Sequence, residues 1–150
     1  MRVLIQRVAE ASVSIDGKVH AHIGRGLLVL VGVATNDTGE DADYLAGKIA
    51  RLRIFNDEAG VMNQDVRQAG GQVLVVSQFT LQASTRKGNR PSYIRAAPEA
   101  VSRPLYEYFT GAVARLLERE VSMGVFGADM QVALVNDGPV TIWMDSRIRD

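Results

Sequence analysis

Three polar side chains fall within four positions in Ser77-Gln78-Phe79-Thr80-Leu81, directly after the apolar run Val73-Leu74-Val75-Val76. An unbroken apolar run rich in β-branched residues reads as a buried strand. Continued as a strand, it would turn Ser77 and Phe79 one way and Gln78 and Thr80 the other. A rigid strand that becomes polar at its end can present chemistry; the plainer alternative is a strand that simply reaches water. Ser77 and Thr80 carry hydroxyls able to attack an acyl group, but such a nucleophile needs a base beside it. The only histidines, His20 and His22, sit far away in sequence on an alternating segment. No third ligand stands near them at a metal-site spacing, and no Gly-rich phosphate loop occurs. What remains for acyl chemistry is the backbone. Peptide N–H groups at a strand end can hold an oxyanion, each worth about 3 kcal/mol, while water or a substrate hydroxyl attacks. No metal and no cofactor is expected.

Charge narrows the partner. The 17 basic and 17 acidic residues cancel, so bulk charge names nothing. Their distribution is more informative: residues 66–98 contain no Asp or Glu, while Arg67, Arg86, Lys87, Arg90 and Arg95 all lie there. That asymmetry makes a positive surface beside Ser77–Leu81, suited to phosphate, or else a solvated basic loop. The absence of cysteine excludes disulfides and thiolate metal sites and fits a reducing compartment. Arg2 is followed by only three apolar residues before Gln6-Arg7, which is no secretory leader. The longest apolar stretch, 27–34, is too short to span a bilayer. The expectation is one cytoplasmic domain over residues 1–150.

The positioning elements follow from periodicity. Ala11, Val13 and Ile15 alternate with polar residues, as do Val19, Ala21 and Ile23 after Gly17, which reads as a hairpin. Keeping its faces clean calls for a three-residue loop with Gly17 left-handed. Leu27–Val33 reads as a strand buried on both faces. Thr38 opens a helix with Asp41 placed as in a capping box, and Leu45, Ile49 and Leu52 follow at helical spacing. Ile54-Phe55 reads as a short strand. A second helix ends near Glu118, with Val101, Leu105, Tyr108, Ala112 and Leu116 on one face. Pro104 places its start near Ser102, because proline is tolerated in a first turn. Met130–Val135 and Val140–Met144 read as two strands around Asn136-Asp137-Gly138-Pro139. Short strands that do not alternate regularly with two helices indicate an α+β fold.

Ser77-Gln78-Phe79-Thr80-Leu81 together with Asn136-Asp137-Gly138-Pro139-Val140-Thr141 resembles the D-aminoacyl-tRNA deacylase family. Gln6-Arg7-Val8, Arg53-Ile54-Phe55, Lys87-Gly88-Asn89-Arg90-Pro91-Ser92 and Phe126-Gly127-Ala128-Asp129-Met130 match in order and spacing, so the resemblance covers essentially the whole chain. It implies antiparallel strands in a two-sheet, barrel-like core with two main helices packed outside. It implies a homodimer with active sites at the interface, acting on the 3′ end of aminoacyl-tRNA, and no DNA or membrane partner. The reaction implied is hydrolysis of D-aminoacyl-tRNA and glycyl-tRNA, including glycine misattached to alanine tRNA, with L-aminoacyl-tRNA rejected. By resemblance, Ser77, Gln78, Phe79 and Thr80 form the pocket floor. Gly138-Pro139 forms a chiral filter inserted, through a cis bond, from the partner subunit. Arg7 fixes that loop, and Phe126, Met130 and Ala96 line the adenosine pocket. Arg86, Lys87 and Arg90 are candidate tRNA phosphate contacts. Thr80 is a nucleophile or a supporting residue. The tail after Met144 carries no assigned role. A non-catalytic RNA-binding module and a small-molecule esterase stand as alternatives.

Overall fold

The computed structural model describes residues 1–149. Its elements run β1 (Arg2–Ile15), β2 (Lys18–Ile23), β3 (Gly26–Gly32), α1 (Gly39–Arg51), β4 (Phe55–Asn56), β5 (Met62–Gln64), β6 (Gln72–Ser77), a 3-10 turn (Phe79–Gln82), α2 (Glu99–Leu117), β7 (Ser122–Met123) and β8 (Gln131–Asp145). β1 is the spine. Its residues 2–8 pair with β3, residues 11–15 pair with β2, and β8 runs antiparallel to it from Arg2 to Ser14. β3 continues into β6 and β6 into β7, both in parallel. The sheet is therefore mixed rather than wholly antiparallel, and β2 curls back towards β6 and β7 so that a barrel nearly closes. β4 and β5 form a small second sheet.

Alternation on β3 and β6 builds two cores from one pair of strands. Leu27, Val29, Val31, Val73 and Val75 face the helices, against Leu45, Ile49, Phe109 and Val113. Leu28, Leu74 and Val76 face the barrel interior with Val8, Val13 and Ile23. Strands covered on both faces need continuous apolar runs, which is what these strands have. The capping box on α1 is formed: the Asp41 carboxylate accepts the Thr38 N–H at 2.9 Å. No helix among the described residues is long and apolar enough to cross a membrane.

Four expectations need correction. The hairpin has a two-residue loop, Asp16-Gly17, with both φ positive and Ile15 opposite Lys18. A bulge does what the longer loop was meant to do: Val13 pairs with Ala21 but Ser14 with Val19, so His20 is the extra residue and the apolar faces come back into phase. α2 begins at Glu99, not Ser102. Its first turn is held by the Val101 and Ser102 N–H groups and the Ser102 hydroxyl, all donating to the Pro98 carbonyl. Pro104 then sits inside the helix, where it forfeits one backbone bond.

The buried face of α2 is also shifted. Ser102, Tyr106, Phe109, Val113 and Leu117 point inward; of the expected face Ala112 is buried and Leu105 partly so, while Val101, Tyr108 and Leu116 are exposed. Finally, the two expected strands, Met130–Val135 and Val140–Met144, are one: β8 runs from Gln131 through both, and Met130 lies just before it. It carries a large irregularity in which residues 137–140 all stand opposite Arg7. Asn136 stitches it closed, accepting the Val140 N–H and donating to the Thr141 hydroxyl, each at 2.8 Å.

Of the tail past Met144, the residues next to it are structural, and Asp150 lies outside the described residues. Asp145 accepts from Arg2 at 2.9 Å and from the Arg147 N–H at 2.9 Å. Ser146 is buried, accepts from the Met1 ammonium and donates to Asp41. The same ammonium lies 2.6 Å from Asp37.

Candidate active site

The strand alternation expected for Ser77–Leu81 stops at Ser77. The Gln78 N–H makes a last bond to the Val31 carbonyl at 2.7 Å. The chain then coils into the 3-10 turn, with the Leu81 N–H on the Gln78 carbonyl and the Ala83 N–H on the Thr80 carbonyl. Gln82 anchors the turn from below, its buried amide donating to the Gly32 carbonyl at 2.7 Å. Gly32 is required for that closeness, since a Cβ there would stand 2.8 Å from both the Gln78 carbonyl oxygen and Leu81 Cβ. As the first two residues of the turn, Phe79 and Thr80 have N–H groups with no partner inside it. Gln78 and Thr80, expected to share a strand face, instead bond to each other: Nε2 donates to Oγ1 at 2.6 Å.

Ser77, Gln78 and Phe79 line a cavity of about 330 Å³ at the end of β6. Its other walls come from Val31 near the end of β3, Val33 just after it, Ala97 and the first turns of α2, and the 126–132 segment. Phe126 and Met130 are there as expected. The Phe126 ring lies 5.8 Å from the Tyr106 ring, and the Arg103 guanidinium sits 4.9 Å above it, a cation–π contact. Tyr106, itself a lining residue, donates its hydroxyl to the Val75 carbonyl at 2.9 Å. Burial, reinforced by Glu107, pushes that phenol far above its ordinary range, so it is a fixed donor and not an acid–base group. Asp129 is the only carboxylate lining the cavity among the described residues.

Several expected residues stand elsewhere. Ala96 does not line the cavity; Ala97 does, and Ala96 bridges to Ala34 instead. Thr80 is adjacent but not in the wall. Gly138 and Pro139, joined by a cis peptide bond, are exposed and touch none of the cavity. Arg7 holds their segment from inside: its Nε donates to the Asp137 carbonyl at 2.9 Å and its Nη1 to the Ile54 carbonyl at 2.7 Å. Arg86, Lys87 and Arg90 lie exposed on a loop closed by Ser84 and Ser92, whose backbones exchange two hydrogen bonds. His20 and His22 are solvated on β2, with His22 3.8 Å from Glu10. Among the described residues no group of three His, Asp or Glu is placed to hold a metal.

A family model described as D-Tyr-tRNA(Tyr) deacylase matches residues 4–145. The chain belongs to this family. The D-aminoacyl-tRNA deacylase of Bacteroides thetaiotaomicron is 55% identical over 150 residues, covering 100% of both chains. That of Akkermansia muciniphila is 59% identical over the same span, again covering 100% of both. A solved structure titled c-Myc DNA Unwinding Element Binding Protein superposes with a TM-score of 0.91 at 38% identity, covering 97% of this chain and 98% of its own. The chain is a hydrolase of the D-aminoacyl-tRNA ester bond, with aminoacyl-tRNA as substrate.

Sequence reasoning missed Tyr106, Ser102 and Ala97 as lining residues. The signal for the first two was the other helical stripe of α2, 102/106/109/113/117, one residue out of phase with the stripe chosen.

Proposed function

We propose that the cavity receives the aminoacyl-adenosine end of tRNA, that a second copy of the chain completes it, and that it cleaves D-aminoacyl and glycyl esters while rejecting L forms. Glycine misattached to alanine tRNA falls within that range. One observation carries the reading: the two motifs of the chain are separated. Ser77, Gln78 and Phe79 line the cavity, whereas Gly138 and Pro139 are exposed and line none of it. In a single copy the second motif has no substrate to meet. Set against a partner's cavity, its backbone becomes a wall. Carbonyl oxygens there accept hydrogen bonds from the α-ammonium, and the space an L side chain needs is filled. A D side chain projects elsewhere and glycine has none, so both enter. This is specificity by exclusion. A cytoplasmic location follows from where charged tRNA is used.

The chemistry runs on backbone donors. Water, assisted by the ribose 2′-OH, attacks the ester carbonyl. The N–H groups of Phe79 and Thr80 take the oxyanion, and collapse expels the ribose 3′ oxygen, which leaves protonated. Support for this route comes from the Gln78 amide, which already occupies the Thr80 oxygen as a donor at 2.6 Å.

The test is release of tyrosine from D-Tyr-tRNA and L-Tyr-tRNA side by side, without added metal. Fast release from the D form alone is expected. Binding of tRNA without release from either would replace this reading with a non-catalytic module. Equal rates on both would remove the filter.

A further inference from the structure

Phe79 and Tyr93 are in edge-to-face contact, with centroids 5.0 Å apart and planes at 68°. Neither ring is buried: Phe79 is 57% exposed, Tyr93 is 39% exposed, and the adjoining Ile94 is 86% exposed. Phe79 belongs to the wall of the catalytic cavity, so Tyr93 extends that wall outward. The backbone carrying Tyr93 is fixed on both sides. Ser92 exchanges two hydrogen bonds with Ser84, at 2.8 and 2.9 Å, and the Ala96 N–H closes a turn onto the Tyr93 carbonyl at 2.9 Å. The loop that Ser84 and Ser92 close carries Arg86, Lys87 and Arg90, inside a stretch without a single acidic residue. Aromatic faces held rigidly in water beside cations are the combination that binds single-stranded nucleic acid: bases stack and the backbone follows the charge.

We propose that Tyr93, seated on Phe79 at the rim of the cavity, forms with it a stacking platform for the nucleotide that precedes the terminal adenosine, with the Arg86–Arg90 loop beyond it facing the phosphates. Tyr93 is then a positioning residue that distinguishes a polynucleotide substrate from an isolated aminoacyl nucleoside. This rests on the aminoacyl-tRNA reading of the cavity.

The experiment compares D-Tyr-tRNA with 3′-O-D-tyrosyl-adenosine, which lacks the preceding nucleotide. Wild-type protein should favour the tRNA through a lower KM. In Tyr93→Ala that advantage should fall roughly ten-fold, the scale of one lost base–aromatic stack. The loss should lie in KM with kcat for tRNA nearly kept, and Tyr93→Phe should restore it. Tyr93→Leu, which keeps apolar cover over Phe79 but offers no flat face, should behave like Tyr93→Ala and guards against a folding defect. An undiminished tRNA advantage in Tyr93→Ala overturns the platform. So does an equal loss on both esters, which would make Tyr93 a support for Phe79 alone, or a failure of Tyr93→Phe to rescue. A wild type that cleaves both esters with the same KM overturns it while leaving the deacylase reading intact. A wild type that cleaves neither overturns both.

Discussion

Arg7 is where folding energy and the proposed filter meet. Arg7 is 7% exposed and ties the Asp137 carbonyl to the Ile54 carbonyl through two nitrogens of one guanidinium. A hydrogen bond from a charged donor is worth about 1.5–3 kcal/mol, so the pair is worth about 3–6 kcal/mol. The Asp137 carboxylate, 3.5 Å away and half exposed, adds about 0–1 kcal/mol. Water can reach the Asp137 side once the arginine is gone, which brings the cost of Arg7→Ala to about 3 kcal/mol. At 2–4 °C per kcal/mol for a chain of this length, the melting temperature should drop by about 6–12 °C. Arg7→Lys is the more informative variant. It keeps the charge but replaces a fork with a point donor that reaches one carbonyl, so about half the loss is expected. Because residues 137–139 then lose their anchor, hydrolysis of D-Tyr-tRNA by Arg7→Lys, assayed well below its melting point, should fall at least about ten-fold. Thermal melts and initial rates on the same preparation decide it. A lysine variant that melts within about 1 °C of wild type and cleaves the D ester at the wild-type rate would refute the clamp.

Three further outcomes follow from the geometry. At Gly138, where φ is +135°, an added Cβ would lie 2.8 Å from Val140 Cγ2 and 3.0 Å from Arg7 Nη2. Gly138→Ala should therefore abolish most D-Tyr-tRNA hydrolysis while the exposed position limits the fall in melting temperature to a few degrees; wild-type kinetics would count against the filter. Thr80→Ala removes one side-chain hydrogen bond and should slow hydrolysis only about five- to ten-fold, whereas complete loss in a folded variant would make Thr80 the nucleophile. Burial of Asp145 favours its neutral form, but the Arg147 N–H, the Arg2 guanidinium and the Ile148 N–H outweigh it and hold the carboxyl below its ordinary value of 3.8. A depressed folded pKa gives stability that is present above the unfolded value and lost as pH falls through the folded one. Asp145→Asn should thus flatten the dependence of the urea midpoint on pH below about 4, and a wild-type acid limb in that variant would remove Asp145 as its cause.

What was legible in the chain was what is local. The apolar runs of β3 and β6, the Thr38–Asp41 cap and the α+β class all depend on neighbours within a few residues, and all are present. What was not legible depended on partners far away. A hairpin register can be corrected by loop length or by a bulge; both restore the phase, and only the packing of Val13 on Ala21 and Ala11 on Ile23 selects the bulge at His20. Two apolar stripes compete on α2. Tyr106 wins because its hydroxyl finds the Val75 carbonyl, a partner 31 residues away, while Tyr108 meets Asp43 at the surface. Val73–Ser77 looked able to continue as a strand because nothing nearby forbids it. Gly32, on β3, is what lets the chain coil down there instead.

The same distinction explains the site. Polar residues at the end of β6 are a local signal, and the structure places Ser77, Gln78 and Phe79 in one wall. In the proposed two-copy site, the role of residues 136–141 is not local to one copy. Their backbone bulges opposite Arg7, which donates to the Asp137 carbonyl and also to the Ile54 carbonyl, and it faces water. A bulge that served only to end a ladder would need no buried arginine behind it, since exposed carbonyls are satisfied by solvent. Burying a guanidinium is costly unless its hydrogen bonds are met, and Arg7 directs two of them at backbone carbonyls. That cost is justified if the segment must keep one shape while standing free of its own domain. A rigid, exposed segment that lines no part of its own subunit's cavity is what the proposed two-copy active site requires of each copy.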